Sequence, residues 1–169
     1  MFAFVMDFEL CHKSISYYRL VPPDEDFMRE ALRLAREAER AGEVPVGAVV
    51  VIQNEIAGRG WNSPISRNDP TAHAEILALR EAAAQAGNYR LTMATLYCTL
   101  EPCVMCAGAL VAARVSRLVF GPRDLRFGGV RSKFQLADSD ILNHRVEVTE
   151  GVLAPESTEM LKAFFETRR

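Results

Sequence analysis

The sequence predicts an α/β protein with helices layered on a central sheet, and three observations carry that prediction. An amphipathic helical repeat opens the readable part of the chain, a β-hairpin pattern follows it, and strand and helix patterns then alternate. A chain of 169 residues needs only one core, because at this length about 70% of the unfolded surface is buried on folding without disulfide staples. With 49% hydrophobic and 25% charged residues, the composition is that of an ordinary globular chain. No apolar run approaches the roughly 20 residues that a membrane crossing requires, so no membrane partner is expected.

Pro22-Pro23 separates an N-terminal extension, residues 1–21, from the body of the chain, residues 22–169. The extension does not read as a secretory signal: Asp7 and Glu9 interrupt its apolar stretch, no basic residue precedes it, and Cys11-His12-Lys13 follows directly. Asp24, Glu25 and Asp26 then suit a helix N-terminus, Phe27, Ala31, Leu34 and Ala38 share one helical face, and Gly42 stops the helix. Val44 to Ile52, Gln53-Asn54-Glu55 and Ile56 to Trp61 read as strand, turn and returning strand. Residues 62–70 are rich in proline and asparagine and read as a loop. Thr71 is placed to cap a helix from about Ala72 to Ala86, with Gly87 as its stop. Thr95 to Leu100 is the next strand, Pro102 suits the first turn of a helix running through Ala113, and Val115 to Phe120 is a further strand. Residues 122–144 read as loop with at most a short helix, Val146 to Thr149 as a short strand, and Pro155 opens a last helix.

Two short motifs carry the chemistry. His73-Ala74-Glu75 supplies an imidazole and a carboxylate, and Pro102-Cys103-Val104-Met105-Cys106 supplies two thiolates. One histidine and two cysteines are three ligands for a tetrahedral zinc ion whose fourth position stays open for water. The i, i+3 spacing puts both sulfurs on one face of a helix, and a helix N-terminus favours the thiolate that a metal needs. Glu75 remains as the proton carrier. Together these parts describe a hydrolytic deaminase, in which activated water attacks an amidine-like carbon and a carboxylate moves protons to the departing ammonia.

Each part also has a plainer reading. Cys-x-x-Cys alone can be redox-active or half of a structural zinc site, which would need a fourth protein ligand such as Cys11, His12 or His144. His144 reads as a loop hydrogen-bonder and Cys98 as a small core hydrophobe within a strand. Four cysteines with two in one motif are no disulfide framework, and a reducing cytoplasm is expected. The net charge of −2 argues against nonspecific nucleic-acid binding. Arg114, Arg117, Arg123, Arg126, Arg131 and Lys133 nevertheless concentrate positive charge, which reads either as solvated surface or as a local face for phosphates.

Beyond these motifs, several longer segments can be matched: Glu43 to Val49, Gly60-Trp61-Asn62, Asp69 to Ile76, Asn88 to Leu91, Thr99 to Ala109, Val119-Phe120-Gly121 and Asn143 to Glu147. Over roughly residues 24–169 the chain resembles the bacterial tRNA-specific adenosine deaminases. The resemblance implies a cytidine deaminase-like three-layer α/β/α fold with a central mixed five-stranded sheet, and one zinc per subunit on His73, Cys103 and Cys106, with Glu75 catalytic. It implies conversion of adenosine to inosine at the wobble position of a tRNA anticodon stem-loop by a homodimer. Asn62, Val44, Leu100, Pro102 and Ala74 would then bind the flipped purine, and Arg123, Asp124, Phe165, Arg168 and Arg169 the surrounding RNA. Leu125 to Lys133 departs from the small-residue loop that the family places after the aspartate. The alternative is a guanine- or cytosine-type small-molecule deaminase built on the same zinc site.

Overall fold

The computed structural model describes residues 23–168. The extension at 1–21, with Cys11 and His12, and the terminal Arg169 lie outside the described residues. Ten elements follow in order: α1 (Asp24–Arg40), β1 (Gly47–Ile52), β2 (Glu55–Trp61), α2 (Pro64–Arg67), α3 (Ala74–Ala86), β3 (Ala94–Cys98), α4 (Val104–Ala112), β4 (Arg117–Phe120), β5 (Glu147–Glu150) and α5 (Ala154–Glu166). The sheet order is β2-β1-β3-β4-β5, with β2, β1 and β3 antiparallel and β3, β4 and β5 parallel. This is the mixed five-stranded sheet that the family resemblance implies.

Alternation along the buried strands sorts the core into two layers. Val49, Val51, Tyr97 and Val119 face α1 and pack on Phe27, Met28, Ala31 and Leu34. Ala48, Val50, Leu96, Cys98, Leu118 and Phe120 face the other way, onto Ala74, Ala78 and Ala82 of α3 and Ala107, Leu110 and Val111 of α4. The α3 face is made of alanines because the helix lies directly on the sheet backbone. A Cβ on Gly60 would come within 2.1 Å of the Ala74 carbonyl oxygen, and one on Gly58 within 2.2 Å of that of Ala78. Small residues on both sides therefore set how near α3 approaches β2. The Ser157 hydroxyl of α5 donates to the Thr99 carbonyl just beyond β3, anchoring the last helix at the end of the sheet that carries the site.

Several boundaries differ from the sequence reading. The hairpin turns on Gln53 and Asn54, both with positive φ (52° and 63°), the mirror-image turn that matches strand twist. The loop at 62–70 contains the short α2, whose Ser66 N–H donates to the buried Glu43 carboxylate at 2.7 Å. Helix α3 begins at Ala74, not Ala72, and Thr71 does not cap it: the Thr71 hydroxyl and N–H both go to Asp69. The segment 122–144 holds turns and no helix. No helix among the described residues is long and apolar enough to cross a membrane.

Candidate active site

The site forms where two helix N-termini meet beyond the C-terminal end of β3. His73 is the N-cap of α3, and Glu75 lies in its first turn. The first free N–H of that helix, on Ala74, donates 3.0 Å to Asn62 Oδ1 at the end of β2, so a side chain from the hairpin does the capping that Thr71 was expected to do. Cys103 is the N-cap of α4, and Cys106 is buried one turn further on. Both ends direct partial positive charge and unpaired N–H groups toward the same point.

His73 Nδ1 stands 3.6 Å from Cys103 Sγ and 3.6 Å from Cys106 Sγ, and the three donor atoms all lie within 4.8 Å of one another. A tetrahedral zinc with Zn–N of about 2.05 Å and Zn–S of about 2.3 Å has an N···S edge of ~3.6 Å. The donor set therefore fits zinc in both chemistry and spacing. Protonation agrees. Cys103 is pulled down to about 4, first by its hydrogen bond with Cys106 and then by His73, against the opposing effect of burial. Cys106 moves up through its hydrogen bond to Cys103 and through burial. The contact between the two sulfurs thus lowers one thiol and raises the other, and a dication that takes both as thiolates would displace the remaining proton. His73 is raised by its hydrogen bond with Cys103, with Glu75 adding to the effect. Glu75 is buried at 3% exposure, and that burial raises its carboxyl above the ordinary value. Cys98, also buried, is pushed well up by burial and then by Glu75, and stays a neutral core thiol.

A cavity of about 740 Å³ opens over these groups. Val44, Val46, Asn62, Leu100, His73, Glu75 and Cys103 line its floor, and Arg123 to Phe127, Leu161 and Phe165 its mouth. Asn62 spends its carbonyl oxygen on Ala74, which leaves its NH₂ as a donor for a ligand. Of the expected residues, the fold therefore brings Asn62, Val44, Leu100, Arg123, Asp124 and Phe165 to the cavity. It does not bring Ala74, Pro102 or Arg168 there. The Ala74 side chain, at the start of α3, is buried in the core against the sheet, and the Pro102 carbonyl accepts from the Gly129 N–H at 2.8 Å. Arg168 lies 3.7 Å over the Phe164 ring and donates to the Gly42 carbonyl.

The basic cluster is largely spent within the molecule. Arg117 pairs with Asp24, Arg131 with Asp138, and Arg114 holds Asn143. Arg123 makes a two-point contact with Glu150 at 2.7 and 2.8 Å at the cavity mouth. The His144 Nε2–H donates to the Val115 carbonyl, as a loop hydrogen-bonder should.

Sequence reasoning missed Glu101. Its buried carboxylate accepts the N–H groups of Asp124, Val130, Arg131 and Ser132 and the Ser132 hydroxyl. Burial pushes this carboxyl up, but the hydrogen bonds from Ser132, Arg131 and Asp124 hold it below its ordinary value. Glu101 thereby staples the rim segment to the start of α4. The clue was an acidic residue fixed directly before Pro-Cys. Two glycines of the rim serve the same contact: a Cβ on Gly128 would meet the Glu101 carboxylate at 2.4 Å, and one on Gly129 the Val104 nitrogen at 2.7 Å.

This fold and these four side chains define a zinc-dependent hydrolytic deaminase with a cytidine deaminase-like framework. A family model described as the cytidine and deoxycytidylate deaminase zinc-binding region matches residues 22–122. The tRNA-specific adenosine deaminase of Haemophilus influenzae is 54% identical over 147 residues, covering 86% of this chain and 85% of the relative. That of Bacillus subtilis is 47% identical over 146 residues, covering 86% and 91%. A solved tRNA:A34 deaminase, from work on A-to-I editing at the wobble position of transfer RNA, superposes with a TM-score of 0.77 at 41% identity, covering 80% of this chain and 98% of that one. A guanine deaminase from Nitrosomonas europaea superposes with a TM-score of 0.74 at 26% identity, covering 86% and 85%. The chain belongs to the cytidine and deoxycytidylate deaminase zinc-binding family, and zinc is its cofactor.

Proposed function

We propose that this chain is a tRNA adenosine deaminase, converting adenosine to inosine at the wobble position of an anticodon. The observation that carries the reading is the convergence of His73, Cys103 and Cys106 beside buried Glu75 under a cavity open to a large ligand. The high identity to relatives named for this activity supports it.

His73, Cys103 and Cys106 hold one zinc per subunit. When bound, zinc is a Lewis acid that makes water a competent nucleophile near neutral pH. Glu75 accepts a proton from the attacking water and delivers it to the purine ring nitrogen, then takes the remaining proton from the new C6 hydroxyl and delivers it to the departing amine, so that water and adenosine yield inosine and ammonia. Its raised carboxyl suits both directions of transfer. Asn62 orients the purine through its NH₂, and Val44 and Leu100 flank the base. Arg123, Asp124 and Phe165 contact the RNA on this reading, and Arg168 and Arg169 are assigned to it from the sequence resemblance alone. An anticodon loop suits the site because its bases are already unpaired, and extrusion is cheapest there.

The same reading makes residues 22–169 the catalytic domain, residues 1–21 an appended segment, the active species a homodimer and the location cytoplasmic. The zinc form should release ammonia and make inosine from an anticodon stem-loop with adenosine at the wobble position, and leave free adenosine, guanine and cytosine unchanged. Turnover of guanine or cytosine with no inosine in the stem-loop would replace this reading with the small-molecule one.

A further inference from the structure

The rim of the cavity carries a feature that deamination of a single base does not use. Phe127 is 65% exposed and Leu125 73%, yet both line the mouth together with Phe165. The segment that carries Phe127 is tied down along its length. The Asp124 carboxylate accepts from the N–H groups of Arg126 and Phe127 at 2.9 and 3.2 Å. Gly128 donates back to the Asp124 carbonyl at 2.9 Å and pairs across to Cys103. Glu101 then fixes the two ends of the turn, at Asp124 and at Val130 to Ser132. The ring is therefore held in water by a backbone tied to the zinc-ligand helix itself.

We infer that Phe127 is a stacking platform for the nucleotide next to the reacting one. This rests on the RNA reading above and adds a second base subsite to it. A base extruded from an RNA loop loses its stacking neighbours on both sides, and its own neighbours lose one. A rigid apolar face at the cavity mouth restores that contact without reading base identity. Positive charge lies among the apolar residues: Arg126 is 6.0 Å over the Phe127 ring, and Arg123, paired with Glu150, lines the same cavity. Pre-fixing the backbone that carries the ring lowers the ordering cost of binding.

The test compares the full-length zinc form with Phe127→Ala and Phe127→Trp, on the wobble-adenosine stem-loop and on two versions with an abasic residue 5′ or 3′ of the target. Phe127→Ala should weaken both Kd and KM for the intact stem-loop about tenfold, at unchanged zinc content and melting temperature, while Phe127→Trp stays within about twofold of wild type. On one of the two abasic stem-loops the wild type and Phe127→Ala should become equal. An Ala variant with unchanged Kd and KM overturns the platform, as does a tenfold penalty that persists on both abasic substrates. So does a change in subunit association with RNA affinity intact, which would make the patch a protein contact. A Phe127-dependent Kd without inosine formation would uphold the platform and remove the proposed reaction; inosine formation indifferent to Phe127 would do the reverse.

Discussion

Glu75 shows how one side chain acquires its role from its surroundings. It sits in the first turn of α3, where a helix dipole favours the carboxylate, yet burial at the cavity floor outweighs that and raises its carboxyl. Glu75→Ala removes the proton carrier but no zinc ligand. Turnover of the wobble adenosine should fall about 10²–10⁴-fold with zinc content intact. Near-normal turnover at full zinc would remove Glu75 from the mechanism. Arg123 is the contrasting case, a cation at the mouth already bound by two contacts to Glu150. To reach a phosphate it must exchange that carboxylate for another anion, so its net gain is smaller than that of a free arginine. Arg123→Ala should weaken stem-loop binding and reduce the slope of log K against log salt by about one. An unchanged affinity across a salt series would assign the residue to the Glu150 pair alone.

Helix α3 is the element on which the site depends most, and its position is set by what is missing from its neighbour. Gly60 leaves room for the Ala74 carbonyl, and Asn62, two residues on, caps the Ala74 N–H. Gly60→Ala would drive a methyl group into the helix backbone, which cannot yield as a flexible side chain can. It should cost about 2–3 kcal/mol and lower zinc occupancy, because His73 moves with the helix. A stable variant with full zinc would show that the close approach is incidental. This dependence also explains what the sequence disclosed and what it hid. The face of α1 was legible because Phe27, Ala31, Leu34 and Ala38 repeat at helical spacing, and all four are buried. The zinc ligands were legible because they lie within two short motifs whose residue types and spacing suit a metal. The start of α3 was not: Thr71 has the better capping chemistry, but Asp69 takes its hydroxyl, and the true partner, Asn62, lies across a loop. Helix α2 and the rim escaped for the same reason, since Glu43 and Glu101 hold them through contacts 23 to 31 residues away in sequence. A local pattern carries no trace of such contacts.

At the scale of the whole molecule, the α1 layer and the α3–α4 layer are separate cores on one sheet, so the outer layer needs its own fastening. Asp24, the first residue of α1, provides it. Its carboxylate takes two hydrogen bonds of 2.8 Å from Arg117 on β4 and one of 2.9 Å from the Tyr97 hydroxyl on β3, while Arg117 also reaches Thr149 on β5. Asp24 thus ties the helix to two strands directly and, through Arg117, to a third. The hydrogen bond from Arg117 is the main reason its carboxyl lies below the ordinary value, with Tyr97 assisting and partial burial opposing. A depressed folded-state value means that the ionised form is the stabilising one. The contribution is complete above the unfolded value near pH ~3.9 and is lost as pH falls through the lower folded value. Asp24→Asn keeps the shape and removes the charge. At pH 7 it should cost about 1 kcal/mol, after allowance for the screening of a partly exposed pair. The difference from wild type should shrink as pH drops below ~4. Urea melts of the two proteins across that range measure it directly, and the release of zinc that both suffer in acid cancels in the comparison. A difference that stayed constant from pH 7 to pH 3 would mean that shape alone, and not charge, holds the outer helix to the sheet.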